Sequence, residues 1–245
     1  MAQFDTIRTS GAVRTAEIDA GLRAHMNKVY GTMSVGMLIT FAVAWAIGSN
    51  PDLLGIFRNT DTMRPNILGW IALFAPLGMI FMFGAMINRM SAAGAQLFFY
   101  TFAAAMGLSL SYIFAVYTGI SIAQTFFVTS IAFAGLSLYG YTTKKDISAW
   151  GSFLIMGVIG LIVAMIVNIW LQSPAIMFAV SGLGVLIFAG LTAYDTQKIK
   201  TDYIAHAANN DSEWLGKSAI MGALNLYLDF INMFQFLLMF MGGRE

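Results

Sequence analysis

The chain contains no cysteine. Disulfides, thiolate nucleophiles and cysteine metal ligands are therefore excluded, and the redox state of the compartment leaves no mark on the sequence. Charge is scarce: Asp, Glu, Lys and Arg make up 10% of the 245 residues, where a soluble domain carries about 25%. Histidine is nearly absent. His25 and His206 are the only two, no HExxH pairs them, and both read as surface residues outside the apolar segments; a histidine-built metal centre is not expected. A net charge of +1, with no basic run interleaved with exposed aromatics, argues against nucleic acid as a partner. No short apolar core with a small-residue cleavage site occurs in the first 29 residues, so a cleaved signal peptide is not expected. What the chain has in excess is apolar surface. At 58% hydrophobic residues, it cannot enclose itself in a water-facing shell, and lipid must cover much of it.

A transmembrane helix needs about 20 mostly apolar residues. Seven stretches qualify: about 30–48, 69–87, 95–117, 120–141, 150–171, 175–197 and 218–241, preceded by a polar tail over 1–29. None alternates with period two, so an all-α membrane protein is expected rather than a barrel. The links "YTGIS" and "QSPA" are short enough to force antiparallel hairpins. Lys and Arg distribute unevenly over the two ends. Arg8, Arg14, Arg23, Lys28, Arg89, Lys144, Lys145, Lys198, Lys200 and Lys217 fall on one side, which is ten, against Arg58, Arg64 and Arg244 on the other. The positive-inside rule then places the N-terminus in the cytoplasm and the C-terminus outside. Small residues recur at helical spacing, at Ala103, Gly107 and Ser111 and again at Gly182, Gly184, Ala189, Gly190 and Ala193. They read as positions of close helix packing.

The last span, "LNLYLDFINMFQFLLMF", carries Asp229 near its middle. A carboxylate at the centre of a bilayer costs about 3 kcal/mol or more, and intramembrane ionisable groups are usually functional. Asn225, Asp229 and Asn232 are spaced four and three apart, within about 60° of one another on a helix, with Gln235 just off the stripe. Such a stripe should face protein or water, and the two asparagines read most simply as hydrogen-bonding glue between helices. A second carboxylate, Asp195, stands in "FAGLTAYDTQKIK" near the end of the sixth span; spacing alone reads it first as a surface acid paired with Lys198.

"GLTAYDTQKIK" followed by "LYLDFINMF", together with "SLYGYTTKKDIS" over 137–148, resembles the transmembrane Bax inhibitor motif (Bax inhibitor-1/lifeguard) family, and the chain looks like one of its compact bacterial members. The resemblance implies six helices surrounding a central C-terminal seventh. It implies a pH-sensitive calcium leak across a membrane, for a bacterial member the inner membrane, without a cofactor and without enzymatic activity. The two motif aspartates, matching Asp195 and Asp229, would form a hydrogen-bonded, pH-sensing pair on the ion path and offer calcium a weak site. Arg89 matches the position of a basic latch for the first aspartate. Asn225 and Asn232 are candidate auxiliary ligands. Some members carry a glutamate in the second span; "GWIALFAPLGMIFMFGAMI" has no acid. The family also implies another role, regulation of a second membrane protein such as a membrane-bound protease.

Paired carboxylates also serve intramembrane aspartyl proteases. The glycine-rich stretch before the second aspartate of that family is replaced here by "LYL". One geometric demand follows from the span limits. Asp229 would lie about 16 Å into its helix and Asp195 only two residues from an end. Pairing therefore requires the sixth helix to run on past Ile199 towards Ile204, or the seventh to begin outside the bilayer.

Overall fold

The structure, a computed structural model, describes residues 2–59, 62, 64–206 and 211–243, with side chains from residue 18 onward. Arg244 and the side chains of Arg8 and Arg14 lie outside the described residues. Helices are α1 (Ala2–Gly48), α2 (Pro51–Phe57), α3 (Ile67–Met86), α4 (Ala92–Leu110), α5 (Ile113–Val116), α6 (Gly119–Thr142), α7 (Trp150–Leu171), α8 (Pro174–His206) and α9 (Ser212–Met241). No strand occurs among the described residues. Seven of these segments are long and apolar enough to cross a membrane: 18–48, 67–89, 92–116, 119–142, 150–171, 174–206 and 212–241. The chain is an all-α membrane protein.

Local chemistry fixes the helix starts. The side chain of Asn50 accepts from Asp52 N and Leu53 N at the head of α2, Asn66 accepts from Gly69 N, Ser91 from Gly94 N, and Thr118 from Ser121 N. Each satisfies backbone donors that a helix cannot. Gln172 ends α7 in the left-handed conformation, φ 47°, and Pro174 opens α8 two residues later, a position where its missing N–H costs nothing.

Three expected spans are corrected at their ends. Residues 18–29 are not a separate tail: α1 runs through them, because Leu22, Met26, Val29 and Met33 continue a buried stripe at helical spacing. The sixth helix continues to His206, since Ile199 and Tyr203 extend its buried face although the intervening residues are polar. The seventh begins at Ser212, where Asp211 caps it by accepting from Glu213 N and Trp214 N.

α9 packs against α8, α1, α6 and α4, while α3 packs chiefly on α4 and α7 chiefly on α8. Over half of the most apolar stretch of α9 is buried (56%), against 17% in α3 and in α7. Those two present Phe81, Phe153, Ile169 and Trp170 outward, which suits lipid and not water. The two ends differ. One gathers the α3–α4, α6–α7 and α8–α9 connections; there Ala92 N donates to Glu213 Oε1 at 2.8 Å, and Gln197 holds the α6–α7 loop by accepting from Ile147 N (2.9 Å) and donating to Lys145 O (2.8 Å). This is the basic end. At the opposite end lie α2 and α5, and Thr118 N donates to Gly243 O.

Close packing follows the small residues. A Cβ at Gly107 would lie 2.5 Å from Thr40 O, one at Gly184 2.5 Å from Phe236 Cγ, and one at Gly140 2.3 Å from Ala193 O. The packing reading of these residues holds at Gly107 and Gly184.

Candidate functional site

The register of α8 against α9 decides whether the two aspartates meet. The helices are antiparallel, and Gly184 lies against Phe236, Phe188 stacks on Phe236, and Ile199 lies against Gly222. These contacts put Asp195 level with residue 226, about 4.5 Å along the axis from Asp229. Side chains lean toward the N-terminus of their own helix. In an antiparallel pair those leanings oppose, and here they close the remaining gap. The carboxyls of Asp195 and Asp229 thereby come within hydrogen-bonding reach of each other. Pairing required at least one helix to run beyond its expected span, and both do: α8 runs past Ile204, and α9 starts six residues early.

Asp229 is 3% exposed and Asp195 is half-buried. A hydrogen bond between two carboxyls needs a proton on one of them, since ionised carboxylates only accept. Asp229 Oδ2 is buried and has no partner among the described residues, a state that costs about 1–3 kcal/mol. Asp195 does not pair with Lys198, contrary to the reading from spacing. The one ion pair among the described residues is Lys217–Glu213, 3.5 Å.

A chain of hydroxyls supports α8 beside the pair. Tyr30 of α1 bonds Ser137 of α6; Ser137 Oγ lies 3.0 Å from Thr196 Oγ1; Thr196 donates to Thr192 O at 2.7 Å. Thr192 and Thr196 are fully buried. Two residues before Asp229, the fully buried Tyr227 bonds Thr40 Oγ1 at 2.6 Å, and Thr40 also reaches Ala103 O at 2.8 Å. Tyr227 thus ties α9 to α1 and α4. Sequence reading missed all six of these hydroxyl residues. Hydroxyls in a span bond their own i−4 carbonyl readily, so their presence does not announce a partner on another helix.

The remaining candidates lie apart from the pair. Met221, Asn225, Leu228, Asn232, Gln235 and Met239 form a half-exposed stripe on α9, about 80° wide, next to the face that holds Asp229. Asn232 Nδ2 donates to Leu228 O of its own helix at 2.8 Å, so it does not glue helices as expected. Arg89 ends a 3-10 turn after α3 (Ile87–Arg89), is exposed, and forms no ion pair with Asp195. His206 is exposed and stacks on Trp214. His25 is not a surface residue: it is 6% exposed, its ring centroid is 4.9 Å from that of Tyr203, and its Nε2 has no partner among the described residues. The extension of α1 beyond the expected span buries it.

A sequence profile described as "Inhibitor of apoptosis-promoting Bax1" matches residues 22–245. An uncharacterized protein of Caulobacter vibrioides is 46% identical, with 93% of this chain and 92% of that protein covered. Inner membrane protein YbhL of Escherichia coli K12 is 45% identical, with 92% and 94% covered. The uncharacterized protein RP147 of Rickettsia prowazekii is 43% identical, with 98% and 97% covered. The profile match covers both aspartate-bearing helices, and the chain belongs to the Bax inhibitor family of membrane proteins.

Proposed function

We propose that this protein is a pH-sensitive calcium leak pathway in which the Asp195–Asp229 pair is the proton sensor. The observation that carries the reading is the meeting of two carboxyls from different helices inside a membrane protein, with Asp229 Oδ2 buried and without a partner among the described residues. With one proton shared, the bond clamps α8 to α9. When that proton leaves, two negative charges about 3 Å apart repel by about 5 kcal/mol at an effective dielectric of about 20. That exceeds the gain from a single hydrogen bond, about 0.5–1.5 kcal/mol, so the clamp opens. The freed oxygens suit a hard cation. Calcium takes six to eight oxygens. Two carboxylates with water, and the side-chain oxygens of Asn225 and Asn232 from the adjacent stripe, would hold it weakly. Weak binding favours passage, because an ion must leave as readily as it enters.

The ten-to-three division of Lys and Arg supports a cytoplasmic basic end, with the pair some eleven residues of α8 inside it, about 16 Å. The inner-membrane placement of the Escherichia coli relative supports the same location for this chain. Arg89 lies at that end, so latching Asp195 would require α8 itself to shift toward it once the clamp opens.

The test is flux from protein alone. Purified protein in vesicles loaded with a calcium indicator is expected to pass calcium at a rate that rises with pH. No calcium entry above protein-free vesicles at any pH would refute the leak and leave regulation of a partner membrane protein as the family's other role.

A further inference from the structure

We propose that the groove between α7 and α8 at the basic end is a binding site for an anionic phospholipid. The groove encloses about 430 Å³ and is lined by Ala149, Trp150, Phe153, Leu154, Leu186 and Gly190. Its lining is apolar, yet it is not closed by protein: Phe153 is 71% and Leu186 68% exposed. Gly190 keeps its floor low, because a Cβ there would lie 2.8 Å from Leu154 Cδ2.

The charge above the groove selects the occupant. The loop over 143–149 carries Lys144 and Lys145, both exposed, and ends at Ala149 on the groove wall. Gln197 fixes this loop through Lys145 O and Ile147 N, and Lys200 Nζ donates to Tyr141 O at 2.6 Å. On α8, Leu186, Gly190, Gln197 and Lys200 fall within an arc of about 80°, so the loop, the third lysine and the groove share one side of the helix. Against Lys144, Lys145 and Lys200 stands Asp146 alone in the loop, exposed, with its carboxyl held below the usual range by bonds from Ser148. None of the three lysines forms an ion pair among the described residues. An acyl chain fits an apolar groove that opens on lipid. A headgroup phosphate fits uncompensated lysines at its mouth, where Trp150 marks the interfacial level. Basic pockets between transmembrane helices bind anionic headgroups in this way.

The experiment is native mass spectrometry of the intact protein in detergent with phosphatidylglycerol or with phosphatidylcholine of the same chains. Phosphatidylglycerol should be retained in preference. In the Lys144→Gln/Lys145→Gln variant its affinity should fall about 10- to 30-fold. Arg23→Gln/Lys28→Gln, which removes two exposed charges elsewhere at the same end, should leave it unchanged. Leu186→Trp, filling the groove at an exposed position, should also release the lipid. Phosphatidylglycerol with a photoactivatable acyl chain should label α7 and α8 between 149 and 190. Equal retention of the two lipids, equal loss in both double variants, or cross-links from this groove to a second copy of the chain in place of lipid would each overturn the assignment.

Discussion

Gly140 sets how closely α6 approaches α8, and with it the position of the helix that carries Asp195. A Cβ at Gly140 would lie 2.3 Å from Ala193 O and 3.0 Å from Thr196 Cβ. The carbonyl belongs to a helical backbone and cannot rotate aside, so Gly140→Ala must push the helices apart by about 1 Å to recover ordinary contact. Overpacking of this kind costs about 1–3 kcal/mol. The alanine returns about 0.5–1 kcal/mol through helix propensity, leaving a net destabilisation of up to about 2 kcal/mol. Gly135 on the same helix provides the control. It is exposed and has nothing within 4 Å of the added Cβ, so Gly135→Ala should stabilise by about 0.5–1 kcal/mol. Unfolding of the detergent-solubilised protein by SDS, followed by helical circular dichroism, reads both. The midpoint should fall for Gly140→Ala and rise for Gly135→Ala. Shifts of the same sign and size would refute the claim that backbone contact at Ala193 governs this interface.

Three further outcomes follow from named contacts. Thr40→Val and Tyr227→Phe should each destabilise, and a double-mutant cycle should return a coupling of about 0.5–1.5 kcal/mol for their shared bond; a zero coupling would mean the hydroxyls do not meet. Gln197→Ala should release the loop over 143–149, raising amide exchange at the buried Ile147 by about tenfold while exchange at residues 113–118 is unchanged. His25→Phe keeps the ring against Tyr203 and removes a buried unpaired nitrogen, so thermal stability in detergent should rise by about 1 kcal/mol; a loss of that size would reveal a bound water at Nε2.

Much of the fold was legible because lipid makes apolar length informative. All seven segments were visible as hydrophobic runs. Their ends were not, because the helices continue where average hydropathy falls but one face stays buried: Leu22, Met26 and Val29 extend α1, and Ile199 and Tyr203 extend α8. The cap at Asp211 was readable as a residue type, yet the polar run around it concealed the turn of helix between it and the expected span. At the site, Asp229 announced itself through the cost of burying a charge. Asp195 did not. Beside Lys198 it reads as an ordinary surface acid, and resemblance, not spacing, marked it. Joining the two requires the α8–α9 register, which depends on where Gly184 and Gly222 admit Phe236 and Ile199. Asn232 satisfied itself on Leu228 O, an option open to any side chain that can reach an i−4 carbonyl, and so failed as a guide to a neighbouring helix.

The most direct test of the account is the pH profile of calcium flux in vesicles for Asp195→Asn and Asp229→Asn beside the unaltered protein. An amide holds the hydrogen-bonded geometry but has no proton to lose at these pH values. The rise of flux with pH should disappear in both variants, while folding, checked by helical circular dichroism, is retained. Folded variants with the original pH dependence would contradict it.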